Sequence, residues 1–212
     1  MAANLLRLRK KRPPKARPVA VAVTGGIGAG KSEALRAFER HGAAVISSDE
    51  IVHELLRSDE EVRSAVRERF GKGVFGPDGD IDRGQIADIV FADERELDWL
   101  ERLLHPRVIA TYLRWRDELA RLPDPPAVSV TEVPLLYEVG GEERFDAVVV
   151  VTASPEARVS RQFRPMQDRE QRLLSDEDKL ARADFSFVND GSLEDLDAFV
   201  ADVVARLSSE AR

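Results

Sequence analysis

Apolar residues along this chain follow two rhythms. Continuous apolar runs rich in β-branched residues occupy positions 19–24 and 146–152 and read as central strands buried on both faces, and the stretches 42–47 and 128–133 read as two further strands. Elsewhere apolar residues recur every three or four positions, which predicts helices over 33–41, 51–56, 59–70, 155–163, 179–184 and 193–207. Asp82 and Asp93 stand where N-caps are expected, for helices running to Phe91 and over 94–104. Pro106 suits the first turn of a further helix ending near Leu122. Residues 185–188 form a short fifth strand. Strands alternating with helices predict an α/β fold, a parallel five-stranded sheet with helices on both faces. About 70 residues separate the second strand from the third, too many for a simple crossover. Residues 58–126 are therefore expected to be a helical insertion that helps to form a substrate pocket. The core is expected over 18–57, 127–160 and 184–207, with a short lid over 161–183.

Between the first strand and first helix lies Gly25-Gly-Ile-Gly-Ala-Gly-Lys-Ser32, which fits G-x-x-x-x-G-K-[ST]. Strand, glycine loop and helix occur in the order a phosphate-binding P-loop requires. Glycines allow backbone N–H groups to turn toward phosphate oxygens, and the helix N-terminus adds a positive dipole end. Lys31 then reaches the β- and γ-phosphates, and the Ser32 hydroxyl can ligate Mg²⁺. Gly26, Ile27, Gly28, Ala29, Gly30, Lys31, Ser32 and Glu33 are the expected contacts for a nucleoside triphosphate. No Asp precedes a Gly by three positions and no Lys follows an Asn, so the N-K-x-D and D-x-x-G signatures of GTPases are absent. The long insertion and the Arg-rich segment after the fourth strand fit a kinase with an acceptor lobe and a lid.

Composition narrows the setting. Cys is absent, which excludes disulfides, thiolate metal sites and cysteine nucleophiles. No apolar run has transmembrane length and no signal-peptide pattern is visible, so a cytoplasmic protein with no membrane partner is expected. Net charge is −7, unevenly placed: seven basic residues and no acid fall within positions 1–17, leaving −14 for the rest. This arm reads as a disordered, Pro-containing extension. A nucleic-acid tail would share its charge, but the acidic body offers no second basic surface, so no nucleic-acid partner is expected.

The ordered series Thr24-Gly-Gly-Ile-Gly-Ala-Gly-Lys-Ser32, Val45-Ile-Ser-Ser-Asp49, Leu103-Leu-His-Pro106, Glu132-Val-Pro-Leu-Leu-Tyr-Glu138, Ser154-Pro-Glu156 with Arg161, and Asn189-Asp-Gly191 resembles the dephospho-coenzyme A kinase family over residues 18–207. The resemblance implies a nucleotide-kinase-like fold and transfer of phosphate from ATP to the ribose 3′-hydroxyl of dephospho-CoA, the last step of coenzyme A biosynthesis. It implies a small-molecule enzyme, monomeric or weakly oligomeric, that uses Mg²⁺ with ATP. Alternatives are a kinase for another small hydroxylated acceptor or a nucleoside monophosphate, or a non-catalytic nucleotide-binding regulator.

Site roles follow from the same resemblance. Asp49, just past a strand end, would orient or accept the proton of the attacking hydroxyl, and it could also cap a helix starting at Glu50. His105, Pro134, Leu135 and Leu136 belong to the acceptor side, or else serve as packing and loop anchors. Glu132 could hold Mg²⁺ through water or support Lys31, if it is more than a strand-end carboxylate. Asn189 and Gly191 lie near the adenine of ATP. Arg161 is expected to act on the transferring phosphate, with Arg164, Arg169 and Arg172 as further lid candidates. The chain departs from the family at Ser47, where an Asp is usual, at Glu33, where a Thr is usual, and in the segment 161–172.

Overall fold

The computed structural model describes residues 17–161 and 174–210. By contact density the chain divides into two compact units: residues to Ser47 together with Trp115 onward, and Ser48–Arg114.

The first unit is built on a five-stranded parallel sheet in the order β2-β3-β1-β4-β5. The strands are β1 (Val19–Thr24), β2 (Ala44–Ser47), β3 (Val128–Glu132), β4 (Ala147–Thr152) and β5 (Phe185–Val188). Every residue of β1, β3 and β4 is buried: in β1 and β4 this follows from an almost unbroken apolar run, whereas β3 also buries Ser129, Thr131 and Glu132. Alternate side chains serve opposite faces. Val21 and Val23 pack with Phe38 of α1 (Lys31–Arg40) and with Leu196, Val200 and Val203 of the C-terminal helix. Ala22 instead packs with Leu136, Tyr137, Val148 and Val150. β1 and β5 keep the bounds expected from the sequence, and β2, β3 and β4 are shorter than expected by one or two residues.

The second unit has its own core. Leu56 of α2 (Ser48–Ser58) packs with Val62 and Val66 of α3 (Glu60–Phe70), Ile86 and Val90 of α4 (Arg83–Ala92), and Leu100 and Leu104 of α5 (Glu94–Ala120). This unit runs from Ser48 to Arg114, and α2 contributes Leu56 to its core. The Asp59 carboxylate accepts from Val62 N at 2.9 Å, and that of Asp82 accepts from Gly84 N at 2.9 Å and Gln85 N at 3.1 Å. Both satisfy N–H groups that a helix start leaves unpaired.

Two helix expectations are corrected. Pro106 opens no new helix; it lies inside α5. Buried Leu100, Leu104, Val108 and Tyr112, spaced by four, keep one apolar stripe through the proline, and continuous burial outweighs the lost N–H. The helix expected at 179–184 is Asp176–Arg182, here α7, and the Ser175 hydroxyl caps it by accepting from Asp178 N at 3.0 Å. The chain closes with α6 (Pro155–Arg161) after β4 and α8 (Leu193–Glu210) after β5. Arg17, expected to belong to the basic extension, is tied into the first unit by a two-pronged pair with Asp146 at 2.8 and 2.9 Å. Residues 1–16, and the lid candidates Arg164, Arg169 and Arg172, lie outside the described residues.

Candidate active site

The glycine loop leaves the end of β1, the strand between β3 and β4. Its path depends on missing side chains. Gly25 has φ 147°, and a Cβ there would run into the Val151 carbonyl of β4. Gly28 and Gly30 also have positive φ, 72° and 97°. A Cβ on Gly30 would strike the Asn189 amide. Lys31 begins α1, and its Nζ donates to the Gly26 carbonyl at 3.0 Å, so the ammonium already lies over the loop. Ser32 follows on the exposed first turn of α1. Glu33 turns its carboxylate to Arg36 at 2.6 Å and to Arg40 at 3.8 Å along the helix. That spends its charge on α1 itself.

Asn189, expected near the adenine, holds the loop. Its buried Nδ2 donates to the Ala29 carbonyl at 2.9 Å, and its backbone N donates to Thr152 O at 2.7 Å. The next residue, Asp190, accepts from Ser154 N at 2.7 Å. The turn after β5 thus braces both the P-loop and the end of β4. Gly191 completes this turn, where a Cβ would lie 2.6 Å from the Asp195 carboxylate.

Glu132 ends β3 opposite Val23 of β1, so its carboxylate belongs to the strand beside the P-loop strand. It is buried and accepts from the Ser47 hydroxyl at 2.9 Å. Ser47, standing where the family usually has an Asp, is therefore an anchor for Glu132. Asp49 lies in the first turn of α2, which begins at Ser48, so it caps no helix starting at Glu50. A carboxylate in a first turn is favoured by the helix dipole.

The acceptor-side expectations divide. Leu136 is fully buried, and its side chain packs in the core with Ala22, Tyr137, Val148 and Val150. Pro134 is half-buried, and its carbonyl accepts from Thr24 Oγ1 at 3.2 Å; Leu135 is half-buried beside it. His105 is half-buried in the middle of α5, not at a helix start.

Arg161 and Arg158 lie three positions apart on α6 and go to different places. Arg161 Nη2 donates to the Asn189 carbonyl at 2.7 Å. Arg158 lines a cavity of about 260 Å³ with Gly26, Ile27, Leu174, Ser175, Asp176 and Lys179. Its guanidinium pairs with Asp176. Lys179, fully buried, lies 3.0 Å from Glu138 Oε1, which also accepts from Leu174 N at 2.9 Å. Sequence reasoning missed Arg158, Asp176, Lys179 and Glu138. The only signal for Arg158 was an arginine one helical turn before Arg161, a spacing that places both near one helix face without choosing between them.

A parallel sheet with this loop at the end of its central strand defines a P-loop nucleotide-binding fold. The family model described as dephospho-CoA kinase matches residues 19–195. The dephospho-CoA kinase of Streptomyces avermitilis is 43% identical over 195 residues, covering 88% of this chain and 93% of the relative. That of Protochlamydia amoebophila is 36% identical, covering 83% and 90%. Among solved structures, TT1252 from Thermus thermophilus superposes with a TM-score of 0.73 at 31% identity, covering 90% of this chain and 98% of that one. Dephospho-CoA kinase from Campylobacter jejuni, at 24% identity and a TM-score of 0.61 over 90% and 97%, shares the fold. The chain belongs to the dephospho-CoA kinase family.

Proposed function

We propose that this enzyme transfers the γ-phosphoryl group of ATP to the ribose 3′-hydroxyl of dephospho-CoA, giving coenzyme A and ADP. The observation that carries the reading is a complete P-loop at the end of β1 in a chain that matches the family over 19–195. The acceptor oxygen forms a bond to the γ-phosphorus while the bond to the β–γ bridging oxygen breaks, and the hydroxyl proton leaves to a base. Asp49 is the proposed base, on the resemblance and on its place two residues past the end of β2. Lys31 balances charge on the terminal phosphates, and the loop amides and start of α1 hold phosphate oxygens. His105, Pro134 and Leu135 remain proposed acceptor-side residues.

The donor set fits Mg²⁺. The Ser32 hydroxyl belongs to the first turn of α1, and the buried Glu132 carboxylate ends the neighbouring strand, so hard oxygen ligands flank the loop. Among the described residues no cluster of three or more His, Cys, Asp or Glu is arranged to hold a metal. Mg²⁺ beside a nucleotide needs none, since phosphate oxygens and waters supply most of its ligands. When bound with ATP, it offsets the negative charge on the β- and γ-phosphates. Glu132 supports that region through water or through Lys31.

A cytoplasmic setting and a monomeric or weakly associating state complete the proposal. Among the described residues no helix is long and apolar enough to cross a membrane. The test is a phosphorylation assay with ATP, Mg²⁺ and a panel of acceptors, with the product's phosphate position read by NMR. Transfer to the 3′-hydroxyl of dephospho-CoA is expected, and chelation with EDTA should stop it. Robust transfer to another acceptor with none to dephospho-CoA would overturn the reading.

A further inference from the structure

The cavity over the first turn of the P-loop contains two cationic side chains, and Arg161 is neither of them. Its lining is Gly26, Ile27, Arg158, Leu174, Ser175, Asp176 and Lys179. Arg158 reaches the loop because residue 26 has no side chain: a Cβ on Gly26 would lie 2.7 Å from Arg158 Nη1 and 2.9 Å from its Cζ. Lys31 Nζ bonds the carbonyl of the same Gly26. An ammonium and a guanidinium therefore converge on one residue of the loop, at the end where a P-loop lysine meets the β- and γ-phosphates. Arg158 is about one-fifth exposed, its Nε is buried without a hydrogen-bond partner, and Asp176 across the cavity pairs with its guanidinium. Arg161 instead spends a donor on the Asn189 carbonyl, and Asn189 in turn holds Ala29 of the loop.

Resting on the kinase reading, we infer that Arg158 is the guanidinium that meets the transferring phosphoryl group in this chain. Arg161 is a positioning residue that acts on the loop through Asn189. Charge on the equatorial oxygens of the transferring group suits a planar fork of donors, which Arg158 offers from inside the cavity. Asp176 holds that fork over the loop before nucleotide enters. It is a second positioning residue, acting through Arg158. No residue between 162 and 172 takes part: Arg158 and Arg161 lie on α6, Asp176 on α7, Asn189 in the turn after β5, and Gly26 and Ala29 on the loop itself.

The test compares variants in two assays. In the transfer assay, Arg158→Gln should lower kcat by about 100-fold or more, the scale of removing one preorganised donor to developing charge, with the KM for dephospho-CoA little changed. Arg158→Lys should recover only part of that loss, because it lacks the fork. Arg161→Lys should retain most of kcat, since either cation can donate to a backbone carbonyl. Arg161→Gln should weaken ATP and AMP binding by similar factors, as a distorted loop would. Asp176→Asn should lower kcat in the wild-type background and have almost no further effect in Arg158→Gln, a non-additivity that a merely structural role would not produce.

Equilibrium binding supplies the second assay. Arg158→Gln should weaken ATP much more than AMP, which lacks the β- and γ-phosphates. This comparison needs no acceptor, so it judges Arg158 even if transfer to dephospho-CoA fails. Arg158→Gln at wild-type kcat with Arg161→Lys inactive would overturn the inference. So would equal weakening of ATP and AMP by Arg158→Gln.

Discussion

The sheet unit and the helical unit reach stability by different routes, and the difference separates packing from chemistry. In the sheet unit nearly every position of β1, β3 and β4 is buried, and the chain at the strand ends is held by backbone contacts: Gly25 against the Val151 carbonyl, Ala29 under the Asn189 amide. In Ser48–Arg114 the helices are amphipathic, their starts are closed by Asp59 and Asp82, and their polar faces are joined by pairs such as Arg69 with Glu96 at 2.8 Å. A buried parallel sheet can fix a strained, glycine-dependent loop because the strands on either side cannot move apart. A unit of capped helices is assembled from local signals and tolerates the loss of any one of them.

The sharpest break between the two comes at Lys31. Lys31→Ala should reduce transfer by about 1,000-fold or more, because it removes charge facing the terminal phosphates. The thermal unfolding midpoint should hardly move, since no core contact is lost. Loss of cooperative unfolding in that variant would mean that the loop lysine is structural.

Next in size is packing. Phe38→Ala removes a fully buried ring between α1 and the sheet and should cost about 3–5 kcal/mol in urea denaturation. Asp59→Ala, in the helical unit, should cost about 1 kcal/mol, the usual value of an N-cap. If the two costs were similar, the contrast between the units would fail.

The smallest effect concerns acid. The carboxyl of Asp82 is held below its ordinary value, chiefly by the backbone N–H of Gln85, with the Gln85 side chain and the Gly84 N–H adding to it against a small desolvation cost. A lowered folded-state pKa means that this contribution is present above the ordinary carboxyl range and is lost as pH falls through the lowered value. The denaturation midpoints of wild type and Asp82→Ala should therefore differ slightly at neutral pH and converge in strong acid. A gap that widens on acidification would contradict the sign.

Local rules made much of this molecule legible. The P-loop from Gly25 to Ser32 needs a strand, three special glycines and a helix start, all within 22 residues of continuous chain from 19 to 40, and each leaves a mark in the residue types. Asp82 and Asp93 were legible as caps for the same reason: the N–H groups they satisfy are two or three residues away. Continuous apolar runs indicated a buried parallel sheet, because no half-solvated strand uses valine at successive positions.

Tertiary structure alone decided how distant residues share the work. Pro106 lies within α5 because burial along the stripe from Leu100 to Tyr112 outweighs a local helix-breaking preference. Leu136 belongs to the core and Asn189 to the loop through partners 100 or more residues away in part of each contact set, Ala22 for the first and Ala29 for the second. The sequence places Arg158 and Arg161 one turn apart and says no more. Which of them lines the cavity at Gly26, and which is tied to the Asn189 carbonyl, depends on where β5 and α7 bring Asn189 and Asp176. Helical periodicity fixes only the angle of a side chain about its own axis; what waits at that angle is set by the packing of the other elements.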